Sequence, residues 1–386
     1  MKIGIITVED LNDKKAWSGI IYKMYRQLCN LYGEENIIHL HTKVDWIGQF
    51  YIFIYKCITR VLGKGYSPMT RFLSKRMAAS INKIIMNSGV EAIFAPAGAV
   101  DIAYLTTEKP LIYYSDATFK LLYDYYPLNN LFQYKYIEAF HVEKKAMEKA
   151  DILLFSSRWA KQSAIMDYDI PPSKIFVAEF GANIEDKDII FRKRWNIDLH
   201  KNKLKILFIG VDWKRKGGDI AIDCCKTLIT KDIDVEFHVV GISELKGKSV
   251  NCDFLINHGF LNKNKKEDYK RLNAIIDECD IFLLPTKAEC AGIVFAEASA
   301  FGLPIFTYDT GGVADYVIDG VNGYRLPSSC KGKDFAEKIY TLLMEGEMEK
   351  LSLGGRRLYE ERLNWERWGR EFDRALQLVT SNRQIQ

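Results

Sequence analysis

Leu284-Pro285-Thr286-Lys287-Ala288-Glu289-Cys290-Ala291-Gly292-Ile293-Val294-Phe295-Ala296-Glu297-Ala298-Ser299-Ala300-Phe301-Gly302-Leu303-Pro304 is the stretch that decides the fold. The apolar run Ile281 to Pro285 enters a loop of small and polar residues, Val294, Ala298 and Phe301 then recur at helical spacing, and Gly302-Leu303-Pro304 ends the helix. A further apolar run, Pro304 to Tyr308, comes directly after it. Strand, loop, helix and strand in that order make one unit of a parallel sheet, because parallel neighbours need a crossover long enough to hold a helix.

The same alternation extends in both directions. Upstream, Leu204 to Gly210, Val235 to Gly241 and Phe254 to His258 read as buried strands, and Gly323 to Leu326 is a further one downstream. Beyond Lys333 the pattern is purely helical, ending in a helix from Trp365-Glu366-Arg367-Trp368 to about residue 380. The polar stretch Glu185 to Lys203 separates this series from an earlier one: Ile3 to Val8, Ile37 to His41, Ala92 to Pro96, Leu111 to Ser115, Ile152 to Ser156 and Ile175 to Glu179. The expected architecture is therefore α/β, with two Rossmann-like parallel-sheet domains at residues 1–186 and 187–365. A C-terminal helix at about 366–386 is expected to pack back on the first domain. Ligands of such sheets sit beyond the carboxyl ends of the strands, so two of them face to face would enclose a cleft.

Composition agrees with a folded enzyme. A chain of 386 residues is too long for one ordinary core, and 48% hydrophobic with 27% charged residues excludes a disordered or fibrous chain. No apolar run approaches the roughly 20 residues that span a bilayer, and the chain enters a strand pattern at Met1-Lys2-Ile3, so a cytoplasmic protein without a signal peptide is expected. The eight cysteines show no CxxC pair and read as reduced core residues. The net charge of +4 is mild, and no nucleic-acid partner is expected. Its distribution is uneven: no acidic residue lies between Asp45 and Glu91, while Lys56, Arg60, Lys64, Arg71, Lys75, Arg76 and Lys83 all fall inside. Within it Ile47, Phe50, Ile54, Ile58 and Val61 take one side of a helix and Lys56, Arg60 and Lys64 another. Residues 46–88 thus read either as a peripheral contact to the inner face of an anionic membrane or as a core-covering helix with a solvated outer face.

The chemistry concentrates at strand ends. A helix N-terminus presents unpaired N–H groups, so the backbone of Cys290, Ala291, Gly292, Ile293 and Val294 forms a cradle for a diphosphate. Glu289 precedes it and Glu297 stands on the second turn of the helix. Carboxylates there can hold sugar hydroxyls on either side of the diphosphate; taken alone, the pair also reads as two solvated glutamates. A second loop, Gly210-Val211-Asp212-Trp213-Lys214-Arg215-Lys216-Gly217-Gly218, combines close-approach glycines with cations that neutralise charge building on a departing diphosphate.

Glu289 and Glu297, on this strand-loop-helix, resemble the E-x7-E motif of the retaining GT-B transferases of glycosyltransferase family 4. The run Thr310-Gly311-Gly312-Val313-Ala314-Asp315 through Asp319-Gly320-Val321-Asn322-Gly323 is similar to the family's TGG-x-x-E and D-G-x-N-G segments, with Asp315 where glutamate is usual. The resemblance implies a nucleotide-diphosphate sugar donor, UDP ahead of GDP. It puts Glu297 on the ribose, Glu289 on the donor sugar, and Lys216 with Gly210 at the diphosphate. The family often carries arginine after the first glycine, where this chain has Val211, so Arg215 or Lys214 is expected to compensate. In the first domain it implies that Gly19 belongs to a donor-side glycine loop and that Asp116, where many relatives have histidine, contacts the acceptor. Phe180-Gly181-Ala182-Asn183-Ile184 resembles the family's hinge segment. The reaction so implied is metal-independent hexosyl transfer with retention, without a cofactor, to a glycan, lipid-linked or protein-linked hydroxyl. Asp167-Tyr168-Asp169, Asp186-Lys187-Asp188 and Asp232-Ile233-Asp234 match DxD only formally, outside the cradle. A sugar-nucleotide epimerase and a non-catalytic partner protein are the competing readings. The first would make free sugar-nucleotide epimers without an acceptor; the second would be expected to have lost Lys216, Glu289 and Glu297.

Overall fold

The computed structural model describes residues 1–126, 130–191, 195, 201–244 and 252–384, so part of the polar stretch 185–203 lies outside the described residues. The chain divides into two compact units, one of Met1–Glu179 with Trp368–Gln386, the other of Phe180–Arg367.

The first unit holds β1 (Ile3–Thr7), β2 (Ile37–His41), β3 (Ala92–Pro96), β4 (Leu111–Ser115), β5 (Ile152–Phe155) and β6 (Ile175–Val177). They form one sheet in the order β2-β1-β3-β4-β5-β6, with every neighbouring pair parallel. Its helices are α1 (Ile20–Tyr32), α2 (Trp46–Val61), α3 (Arg71–Ser88), α4 (Ala99–Ile102), α5 (Phe119–Tyr125), α6 (Gln133–Lys149) and α7 (Arg158–Tyr168). Strands covered on both faces need apolar residues at successive positions, which is why β1, β3 and β4 are buried throughout.

The second unit repeats the plan with β7 (Leu204–Ile209), β8 (Val235–Val240), β9 (Leu255–Asn257), β10 (Ile281–Leu284), β11 (Ile305–Tyr308) and β12 (Gly323–Leu326), in the parallel order β12-β11-β10-β7-β8-β9. Around it run α8 (Gly218–Ile229), α9 (Lys266–Glu278), α10 (Ile293–Ala300), α11 (Gly332–Met344) and α12 (Met348–Glu361). The last helix, α13 (Trp365–Gln384), starts in this unit and from Trp368 onward belongs to the first. There Trp368 and Phe372 are almost wholly buried, and Phe372 meets Phe94 of β3 edge-on with ring centroids 5.0 Å apart.

In each sheet the strand order reverses once, between β1 and β3 and between β7 and β10. The loops leaving two such strands diverge to opposite faces and leave a crevice at their carboxyl ends. Helix starts differ accordingly. Asp45, Thr70, Thr118 and Ser157 cap α2, α3, α5 and α7 with their side chains. By contrast α1, α8 and α10 start behind Gly19, Gly217 and Gly292, all left-handed at φ 85, 78 and 85°, with no side-chain cap. Glycine tolerates that conformation and brings no capping side chain of its own.

The segment Phe180 to Ile184 is anchored within the second unit. The Phe180 amide donates to the Tyr316 hydroxyl at 2.8 Å and the Trp365 indole to the Ala182 carbonyl at 2.9 Å.

Candidate active site

The loops leaving β7 and β10 meet at the strand-order switch of the second unit. The Lys287 amide donates to the Arg215 carbonyl at 2.8 Å, and Gly217 lies so close to β10 that an added Cβ would stand 2.1 Å from the Pro285 carbonyl oxygen. Only glycine, at φ 78°, fits there. Gly210 is packed less tightly, an added Cβ standing 2.8 Å from Cγ of Lys216. The turn is closed by Asp212, whose carbonyl accepts the Lys216 amide at 2.9 Å and whose carboxylate accepts the Arg215 amide at 3.0 Å.

This packing brings two of the sequence-derived residues together. The Lys216 ammonium donates to the Glu289 carboxylate, with side-chain exposures of 9% and 13%. Arg215 sends its guanidinium to the Ala288 carbonyl at 2.8 Å, with Asp212 at 3.8 Å. It thus joins the two loops. Glu289 also accepts the Gly312 amide on its backbone carbonyl at 3.1 Å, and Thr310 donates to the Lys287 carbonyl at 3.3 Å, which brings the Thr310-Gly311-Gly312 turn to the same place. Asp315 ends that turn, buried, its carbonyl accepting from Arg362 at 3.1 Å. Asn322 holds the return loop by bonds to the Ile318 amide, the Tyr316 carbonyl and the Ser299 hydroxyl.

Cys290 and Ala291 are buried in the loop before α10, Gly292 is its left-handed start, and Ile293 and Val294 open the helix. Gly292 is closely packed, an added Cβ falling 2.5 Å from the Phe295 ring and 3.0 Å from Cγ of Glu289. One turn further Glu297 is 1% exposed, and Lys263, in the loop before α9, donates to it at 2.5 Å. Sequence reasoning missed Lys263, because Asn262-Lys263-Asn264-Lys265-Lys266 reads as a solvated basic loop. The arrangement offers ammonium groups at two carboxylates on either side of an uncapped helix start, which suits a ligand that carries hydroxyls and an anionic centre.

In the first unit Asp116 lines a cavity of about 390 Å³ at the other switch, with Thr7 and Val8 at the end of β1, Pro96 and Ala97 at the end of β3, Ser115 and Trp17. Gly19 comes after Trp17 and Ser18, at φ 44 and 59°, in a run of left-handed residues that turns the chain into α1. Two carboxyls that the sequence did not reveal share the cavity, Asp101 of α4 and Glu143 of α6. Burial raises Asp101 to about 6. It raises Glu143 to about 7, although the Tyr168 hydroxyl and the Phe119 amide, the latter donating at 2.7 Å, favour its charged form.

Two six-stranded parallel sheets flanked by helices, with their loops gathered at switches in strand order, make the α/β two-domain GT-B fold. Residues 190–352 match the family model described as Glycosyl transferases group 1. An uncharacterized glycosyltransferase of Methanocaldococcus jannaschii is 26% identical over 50% of this chain and 55% of its own length. The capsular polysaccharide biosynthesis glycosyltransferase CapM of Staphylococcus aureus is 26% identical over 72% of this chain and 73% of its own. Among solved structures, HepE of Anabaena in complex with UDP shares the fold with a TM-score of 0.66, at 16% identity over 98% of this chain and 100% of that one. The chain spans about half the length of several curated relatives that it matches. Together these findings show the GT-B fold and a match to Glycosyl transferases group 1 over residues 190–352.

Proposed function

We propose that this chain transfers a hexose-type sugar from a nucleotide-diphosphate sugar, UDP ahead of GDP, to a hydroxyl acceptor, with retention of configuration and without a metal. The observation that carries the reading is the Lys216–Glu289 pair, set between the β7 and β10 loops beside the uncapped start of α10. In the working complex the Lys216 ammonium and the first-turn amides of α10 stabilise the leaving diphosphate, and Glu289 turns to the hydroxyls of the sugar. Glu297 takes the ribose, with Lys263 keeping its carboxylate oriented. The resemblance to the retaining transferases implies front-face attack, with the leaving diphosphate receiving the acceptor proton. Asp116 and the first-unit cavity serve the acceptor.

The UDP complex of HepE supports the choice of nucleotide, and CapM supports a role in surface polysaccharide synthesis. Nucleotide sugars are cytoplasmic metabolites, and the enzyme would work there. The test is a thermal-shift series with UDP-, GDP- and ADP-sugars. A ligand at about 100 times its dissociation constant adds roughly 2.7 kcal/mol of stability. UDP-sugars are expected to raise the unfolding temperature most, in the presence of EDTA as in its absence, and proton NMR of the product is expected to show the donor's anomeric configuration. No shift with any nucleotide sugar refutes the reading.

A further inference from the structure

Helix α2 is built inside out. The residues facing the first unit are Gly48, Tyr55 and Thr59, which are buried, with Tyr51 partly so. They meet a polar aromatic set in which Tyr51 packs on Phe72 at 4.8 Å and Tyr55 on Tyr66 at 5.3 Å, while Lys135 donates to the Tyr51 hydroxyl at 2.9 Å. The large apolar side chains point to solvent: Trp46 is 76% exposed, Phe50 and Phe53 62%, Ile58 47% and Val61 84%. With Ile54 they recur at helical spacing and form one continuous stripe. A monomer gains nothing from such a face in water.

Its charge says what covers it. Lys56 and Arg60 border the stripe, and both are exposed. The nearest acid in sequence, Asp45, is neutralised as a countercharge: Arg76 pairs with it and Gly48 donates to it, which together hold its carboxyl at about 2, and Glu138 is paired with Lys135. Beside the start of α2 a groove of about 460 Å³ is lined by Lys43, Lys75, Arg76 and Lys83 together with Asp45. A second copy of the chain docking symmetrically would bring cations against cations. A single convex helix also offers no pocket for a folded partner to fill, whereas a bilayer requires no matching shape. The helix is about 24 Å long, too short and too charged to cross a membrane, and among the described residues no helix is long and apolar enough to do so.

We infer that α2 lies flat in the headgroup layer of an anionic bilayer, with Trp46, Phe50, Phe53, Ile54, Ile58 and Val61 among the acyl chains and Lys56 and Arg60 at the level of the lipid phosphates. This does not depend on the transferase reading.

Cys57 supplies a reporter within the stripe, since it alone among the cysteines is exposed. The full-length protein, labelled there with a polarity-sensitive dye, is mixed at low salt with vesicles of phosphatidylcholine alone or with added phosphatidylglycerol. A blue shift and co-sedimentation are expected with the anionic vesicles only, reversed by salt. Phe50→Asp with Phe53→Asp, and separately Lys56→Glu with Arg60→Glu, are each expected to lower partitioning at least about tenfold, while the thermal unfolding of both variants matches the parent. Failure of the parent to bind anionic vesicles overturns the inference, as does equal binding by the variants. A concentration-dependent dimer that Phe50→Asp with Phe53→Asp abolishes, without vesicle binding, would assign the stripe to self-association instead.

Discussion

Removing Lys216 should cost this protein twice, once in folding and once in chemistry, and a double-mutant cycle with Glu289 separates the two costs. Lys216→Ala strips a largely buried carboxylate of its partner. Breaking a fully buried pair costs about 3–5 kcal/mol and an exposed one about 0–1, so the slight accessibility here places the loss at roughly 2–3 kcal/mol. In a unit of this size that is a fall of roughly 5–10 °C in unfolding temperature. Glu289→Ala should also destabilise, but Lys216→Ala with Glu289→Ala should lose less than the two singles added, because neither charge is then left alone. Turnover should behave differently. A cation lost from the developing diphosphate costs about 3 kcal/mol, or about 150-fold, and removing Glu289 as well recovers none of it. Differential scanning calorimetry reads the first half, and nucleoside diphosphate release from the donor reads the second. Stability losses that add within about 0.5 kcal/mol would refute the pairing as an energetic unit. Recovery of turnover in the double variant would refute the role of Lys216 at the leaving group.

The two glutamates should also separate by calorimetric titration with the bare nucleoside diphosphate: Glu297→Ala weakens it about tenfold or more, since bonds to a charged group contribute about 1.5–3 kcal/mol, whereas Glu289→Ala leaves it within about threefold. Glu143, raised by burial from 4.5 to about 7, keeps its proton in the folded chain where the unfolded chain has lost it. Its contribution is therefore fully present below about 4.5 and falls away as pH rises toward 7, by roughly 3 kcal/mol. Urea denaturation across that range should show Glu143→Gln flattening the slope, with the remainder carried by Asp101, which burial raises to about 6; an unchanged slope would refute the assignment. Trp368→Ala, emptying a fully buried site against Phe94 and Tyr114, should cost about 3–5 kcal/mol in the same measurement.

The strands were legible because a sheet covered on both faces leaves a simple trace. Ile37–His41, Ala92–Pro96, Leu111–Ser115 and Gly323–Leu326 have the bounds that their apolar runs predict, and the other eight are shorter than theirs by one or two residues. The glycine starts of α8 and α10 were legible too, since a loop that must reach the strand beside it shows its glycines. Contacts between distant residues left no such trace. Lys263 reaches Glu297 across 34 positions, and Asp101 and Glu143 enter one cavity from different helices. The spacing of α2 revealed its stripe but not that the stripe faces outward, because period gives the arc of a face and not what lies opposite it. Lys64, read as continuing the cationic face, lies past the end of α2 and donates to Asn130 at 3.3 Å.

Helix α13 makes the first unit discontinuous in the chain, and that sets a schedule for its birth. Residues 1–179 emerge from a ribosome long before Trp368, yet Phe94 and Tyr114 both wait for that indole, Gln27 for Gly369, and the Tyr32 hydroxyl for the Asp373 carboxylate that it meets at 2.6 Å. At roughly 5–20 residues per second, the opening sheet must survive with an open flank for on the order of ten seconds or more while the second unit is synthesised. The second unit is contiguous and can close on its own. A released chain truncated just before Trp368 should therefore hold a folded second unit beside a first that still needs a chaperone.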